Sequence, residues 1–174
     1  MPHPSPEDDA VVEVVSYDPA WPERFAAEER LLGSTLRQWL AGPIEHIGRT
    51  AVPGLAAKPV IDIMVPVTSL EESHGSISVV ATAGYVYFPY KPHLMHWFCK
   101  PSPAVRTHHL HLVPHGSDLW RQRLAFRDAL RSDSELAAEY AELKFYLAAR
   151  FRHDREAYTE AKEPFVRAVL KNAA

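Results

Sequence analysis

Between Val60 and Val67 the chain is apolar at every position except one, Asp62. A run this short and this apolar fits a strand buried on both faces of a sheet. Side chains alternate along a strand, so Val60, Asp62 and Met64 share one face and Ile61, Ile63 and Val65 the other. A buried central strand requires flanking strands and covering helices, and the rest of the chain must supply them.

The pattern elsewhere meets that requirement. Residues 11–17, VVEVVSY, read as a strand. Asp18 offers a helix cap with Pro19 at the first helical position, and apolar spacing from Trp21 to Leu40 predicts an amphipathic helix ended by Gly42-Pro43. Ile44 to Gly48 reads as a short strand, 49–59 as a turn-rich connection, and 69–82 as a helix. Tyr85 to Phe88, Met95 to Cys99 and Thr107 to Val113 give three more strands. From Asp118 onward the periodicity is helical, over roughly 118–131, 133–152 and 154–172, with Ser132 or Asp133 and then Asp154 as caps. The fold class expected is α+β: a mixed sheet with packed helices and a helical C-terminal third. Residues 1–10, acidic and Pro-rich, read as a disordered leader, and 11–174 as one domain.

Composition narrows the function classes. The net charge of −3 over 174 residues has no basic tail, which argues against nucleic acid as a partner, so any phosphate-binding surface must be local. The single cysteine, Cys99, rules out an internal disulfide and reads as a packing residue. No signal-peptide pattern and no membrane-length apolar run occurs, so the expected location is cytoplasmic, without membrane attachment.

Four groups of residues could carry chemistry. Asp62 is a carboxylate in an apolar strand, which needs a partner; it fits a metal ligand or catalytic base, and equally a structural ion pair. In RTHHLHLV, residues 106–113, His109 and His111 fall on one strand face, a spacing that suits a divalent cation, though packing histidines give the same pattern. Arg106 opens the same stretch and adds positive charge. Among the ten histidines, His46, His93 and His96 are further neighbours, while His108 and His115 read as packing or surface residues. Gly48-Arg49-Thr50, with Lys58 beyond, is a turn in which backbone N–H groups and cations can meet an anion, though it is not a Walker-type loop. Tyr140 with Lys144 and Tyr158 with Lys162 stand four apart on the C-terminal helices and share a face, fitting either phosphate donors or a solvated surface.

Three blocks, EHIGRTAVPGLAAKPVIDIMV at 45–65, RTHHLHLV at 106–113 and LAFRDALRSDSELAAEYAELKFYLAARFRHDREAYTEAKEPFV at 124–166, resemble the GrpB family, and VSYDPAWPERFAAEE at 15–29 fits it as well. The resemblance implies a nucleotidyltransferase-like sheet of the polymerase-β type. Gly48 would be the phosphate-turn glycine and Asp62 the first metal-binding carboxylate. Two departures stand out. The usual Gly-Ser turn is Gly48-Arg49, which places a long cation where a small hydroxyl would be. The second carboxylate position is Met64, which cannot ligate Mg²⁺. The remaining donors, Asp62, His109 and His111, favour Zn²⁺, Ni²⁺, Fe²⁺ or Mn²⁺ over Mg²⁺.

Three functions follow as expectations. One is metal-dependent transfer of a nucleotidyl group from an NTP to a small molecule, with Arg49, Thr50, Lys58, Arg106, Tyr140, Lys144 and Lys162 toward phosphates or substrate. Another is transition-metal catalysis on a small polar substrate. The third is a non-catalytic nucleotide- or anion-binding module.

Overall fold

The computed structural model describes residues 13–173, so the leader and the first part of the 11–17 segment lie outside the described residues. The five strands are β1 (Glu45–Ile47), β2 (Ile61–Val67), β3 (Val86–Tyr87), β4 (His96–Pro101) and β5 (Arg106–Pro114), in the order β1-β2-β5-β4-β3. The helices are α1 (Trp21–Thr35), α2 (Ser76–Val80), α3 (Asp118–Ser132), α4 (Ser134–Arg150) and α5 (Arg155–Ala173). The sheet is mixed. β2 runs parallel to β5, and the other three pairings are antiparallel. This is the α+β architecture expected, with its helical C-terminal third.

The apolar run is the central strand. Ile61, Ile63 and Val65 are buried on one face with Phe98, Leu110 and Leu112, under Trp21, Leu32 and Leu36 at α1. On the opposite face Met64, Trp97, Cys99 and Val113 pack with Trp120 of α3. Burial of these side chains supplies most of the favourable energy. The helix ends are chemically defined. Ser117 Oγ accepts from Trp120 N, Asp133 Oδ1 accepts from Glu135 N and Leu136 N, and Asp154 Oδ1 accepts from Ala157 N.

Three expectations shift. Val15 makes only an isolated bridge to Ala57, so no full strand forms among the described part of 11–17. Asp18 Oδ1 accepts from Ala20 N, yet the helix begins at Trp21 and ends at Thr35; a 3-10 turn, Arg37–Trp39, completes the stretch, and Leu40 bridges to Val67. The helix expected over 69–82 shrinks to α2 and a following 3-10 turn, Ala81–Ala83. The reason is local competition for the backbone: Ser69 Oγ accepts from Glu72 N, Ser73 Oγ donates to Ser69 O, and Ser76 Oγ donates to Ser73 O.

Candidate functional site

β2 and β5 pair with Asp62 opposite His109 and Met64 opposite His111. That register puts the carboxylate and both imidazoles on the face that carries α3. Asp62 Oδ1 accepts from His109 Nδ1 at 3.1 Å and from His111 Nε2 at 3.4 Å, the second a long contact. The trio is partly open, since the side chains of Asp62 and His109 keep 20% and 22% exposure while His111 keeps 6%. Burial by itself would raise the Asp62 carboxyl; the bonds from His109 and His111 outweigh it and hold the group well below the usual carboxylate range. Burial lowers both histidines, His111 to about 4, so neutral rings donate to an ionised aspartate.

Gly48 is fixed by this aspartate. Its φ is +71°, and a Cβ there would stand 2.7 Å from Asp62 Oδ2. Only glycine gives both the left-handed backbone and the space. The chain then turns through Arg49–Ala51 toward the C-terminal helices.

Around Tyr158 of α5, which is fully buried, three cations gather. Arg49 Nη1 donates to Tyr158 Oη at 3.2 Å, Lys58 Nζ lies 5.2 Å from the ring centroid, and Lys162 Nζ lies 4.6 Å from it. Among the described residues none of the three forms an ion pair with a carboxylate. Burial, then the charges of Arg49 and Arg155, brings Lys58 down to about 7. Burial, with Arg49 and Lys58 next, lowers Lys162 well below its ordinary value. Asp62 feels this cluster from the other side, and Arg123 of α3 also lies within its electrostatic range. Arg106 sits over the Trp97 ring at 5.4 Å, with Nε donating to Pro103 O and Nη2 buried without a partner.

The structure brings together Asp62, His109 and His111, which the sequence offered as separate candidates, with Gly48 against Asp62 and Arg49, Lys58 and Lys162 around Tyr158. Three other candidates lie elsewhere. The Thr50 hydroxyl is buried, 2.9 Å from His46 Nε2 and 3.3 Å from Val60 O, which it contacts as a donor. Lys144 is fully buried, with Nζ 3.5 Å from Ala56 O and 4.7 Å from the Tyr140 ring centroid. It supports the 52–58 loop from beneath, and Tyr140 packs in the same layer with Val52, Leu55 and Leu130. Sequence reading missed Arg123, whose helical position gave no signal beyond charge. It also missed a cavity of about 270 Å³ bounded by Phe25, His46, Thr50, Ala51, Arg127 and Arg131. There His46 stacks on Phe25 at 4.7 Å, and burial lowers its imidazole to about 4. His96 instead contacts Leu70 O at 3.0 Å, on the sheet face away from the trio.

One carboxylate and two imidazoles are suitable donors for a transition metal, but a bound metal would leave protons on the outer ring nitrogens. Those atoms, His109 Nε2 and His111 Nδ1, are buried with no acceptor. Metal-ligating histidines pass that proton to an acceptor. The arrangement therefore fits a hydrogen-bonded trio better than a metal centre, and no described group of three or more His, Cys, Asp or Glu has a metal-holding arrangement. No described helix is long and apolar enough to cross a membrane.

Comparison with known proteins places this architecture. A UPF0157 protein of Pseudomonas aeruginosa is 39% identical over 170 residues, 95% of this chain and 69% of that protein. A dephospho-CoA kinase of Mycolicibacterium paratuberculosis is 29% identical over 194 aligned positions, 94% of this chain but 46% of that protein. The crystal structure of GrpB from Enterococcus faecalis superposes with a TM-score of 0.82 at 33% identity, covering 92% of this chain and 96% of that one. The GrpB protein family model matches residues 11–172, and the chain belongs to the GrpB family.

Proposed function

We propose that the cluster around Tyr158 binds the phosphate of a nucleotide or another phosphorylated small molecule, next to the Asp62–His109–His111 trio. One observation carries this reading: Arg49, Lys58 and Lys162 gather on one ring and, among the described residues, none of them forms an ion pair, with Asp62 acting on them only at longer range. Crowding like charges away from water is costly, and a bound dianion removes that cost. Arg49 keeps its charge at any physiological pH and offers a planar fork suited to phosphate oxygens.

The reaction that the family resemblance implies is nucleotidyl transfer to a small hydroxyl or amine. In that reaction the ionised Asp62, fixed by two donating rings and still partly exposed, would accept a hydrogen bond from the acceptor and orient it. A transition metal on the same trio is the second reading, since one carboxylate and two imidazoles are donors such an ion takes, but the buried outer ring nitrogens without acceptors count against it. Elemental analysis of purified protein separates the two. Substoichiometric metal supports the hydrogen-bonded trio, and one Zn, Ni, Fe or Mn per chain supports the metal.

Calorimetric titration with ATP, GTP, CTP, UTP and inorganic pyrophosphate tests the anion site. At least one should bind, with affinity that weakens with salt, and Arg49→Met should reduce it at least tenfold. Failure of all five to bind would sink the reading.

A further inference from the structure

Lys58 and Lys162 are held against the same ring, at 5.2 and 4.6 Å, while Arg49 occupies its hydroxyl. Lys58 comes from the loop before β2 and Lys162 from α5, so two separate parts of the chain bring their amines to one ring. Two ammonium groups and a guanidinium in one partly buried space repel one another. Arginine does not lose its proton at accessible pH, so relief comes from a lysine. Burial and the neighbouring charges bring Lys58 to about 7, and they lower Lys162 as well. An amine in this state is a nucleophile near neutrality, a recognised route to activated lysine.

We propose that the Lys58–Lys162 pair supplies a nucleophilic amine that condenses with the carbonyl group of a phosphorylated aldehyde or ketone, whose phosphate is held by Arg49 and the other ammonium. For the place of the phosphate this rests on the anion-binding reading above; the reactivity of the amine does not. In the step, the nitrogen lone pair attacks the carbonyl carbon and the C=O π pair moves to oxygen. Proton transfer from nitrogen gives a carbinolamine. Loss of water then forms the C=N bond, and the imine is protonated. Nothing is oxidised or reduced. Asp62 acts electrostatically on both lysines, so its long-range field stabilises the iminium charge.

The test uses full-length protein and pyridoxal 5′-phosphate as the probe, with borohydride reduction of the adduct and peptide mapping. We expect one adduct per chain, on Lys58 or Lys162, forming at least roughly tenfold faster than adducts on the exposed Lys91 and Lys171 of the same molecules. The Lys58→Arg/Lys162→Arg double variant keeps both charges but has no amine at either position, and should lose the fast adduct. Pyrophosphate should protect the wild-type amines, and pyridoxal without its phosphate should react more slowly. Labelling of Lys58 and Lys162 no faster than of Lys91 overturns the proposal, as does a fast adduct that survives the double substitution. Equal rates for both pyridoxals with no protection leave a reactive amine but overturn the phosphorylated class and, with it, the anion reading.

Discussion

Two buried charge clusters lie on opposite faces of the same sheet and are built on opposite principles. On the α1 face, Glu28 receives Lys100 Nζ at 2.6 Å on one oxygen and Tyr85 Oη at 2.6 Å on the other. His108 stands 3.9 Å away, and every member has a counterpart. The Tyr85 hydroxyl is pushed far up, first by burial and then by its bond to Glu28, so it serves only as a donor. Around Tyr158, Arg49, Lys58 and Lys162 share a ring and, among the described residues, none of them forms an ion pair with a carboxylate. A structural charge is closed by its neighbours. An unclosed one is a cost that folding alone does not repay, and on that contrast rests our proposal that the second cluster binds an anion.

Three substitution and pH experiments sharpen the contrast. The largest effect is expected at the closed cluster. Glu28→Ala leaves Lys100 without its partner and should cost about 3 kcal/mol in denaturant unfolding while leaving pyrophosphate binding unchanged. Equal loss of binding would mean that the two faces are not independent. The open cluster should respond with the opposite sign: Lys58→Met together with Lys162→Met removes mutual repulsion and should stabilise the free protein by about 2 kcal/mol while abolishing anion binding. Destabilisation there would show that the lysines are closed by contacts of their own.

The smallest effect is in pH. Lys58, at about 7 when folded, is below its ordinary value of 10.5, so the unfolded chain binds more protons between those values. Its penalty on the free protein is full below about 7 and fades as pH rises toward 10.5. Anion binding needs the protonated form, so pyrophosphate affinity should fall about fivefold from pH 7 to 8, with proton uptake seen as a dependence of binding heat on buffer. A flat profile would place the anion away from Lys58.

The sequence carried most of the scaffold because its strands and long helices are strongly periodic. The 60–67 run, the alternation in 106–113 and the three C-terminal helices all form close to where pattern placed them. The serine-rich 69–76 stretch defeated periodicity, since hydroxyls bonding to nearby carbonyls leave no trace in an apolar count. At the site, Asp62, His109 and His111 were legible because strand parity assigns a face. Thr50 and Lys144 were not, because the direction of a turn and the depth of a helix face depend on packing that only tertiary structure decides. The Gly48 contact with Asp62 was foreseeable as a turn glycine but not as a steric necessity. The sharing of Tyr158 by three cations had only one local trace, the four-residue spacing to Lys162.

The parallel pairing of β2 with β5 has a consequence for how this molecule comes into being. Antiparallel neighbours can zip from a nearby hairpin, but Asp62 meets His109 and His111, 47 and 49 positions further along the chain, only after the intervening chain has been threaded through β3 and β4. Such contacts between distant parts of the chain form slowly. The trio is thus a reporter of completed assembly: a nascent chain that has not yet released β5 has the aspartate but not His109 and His111 to meet it.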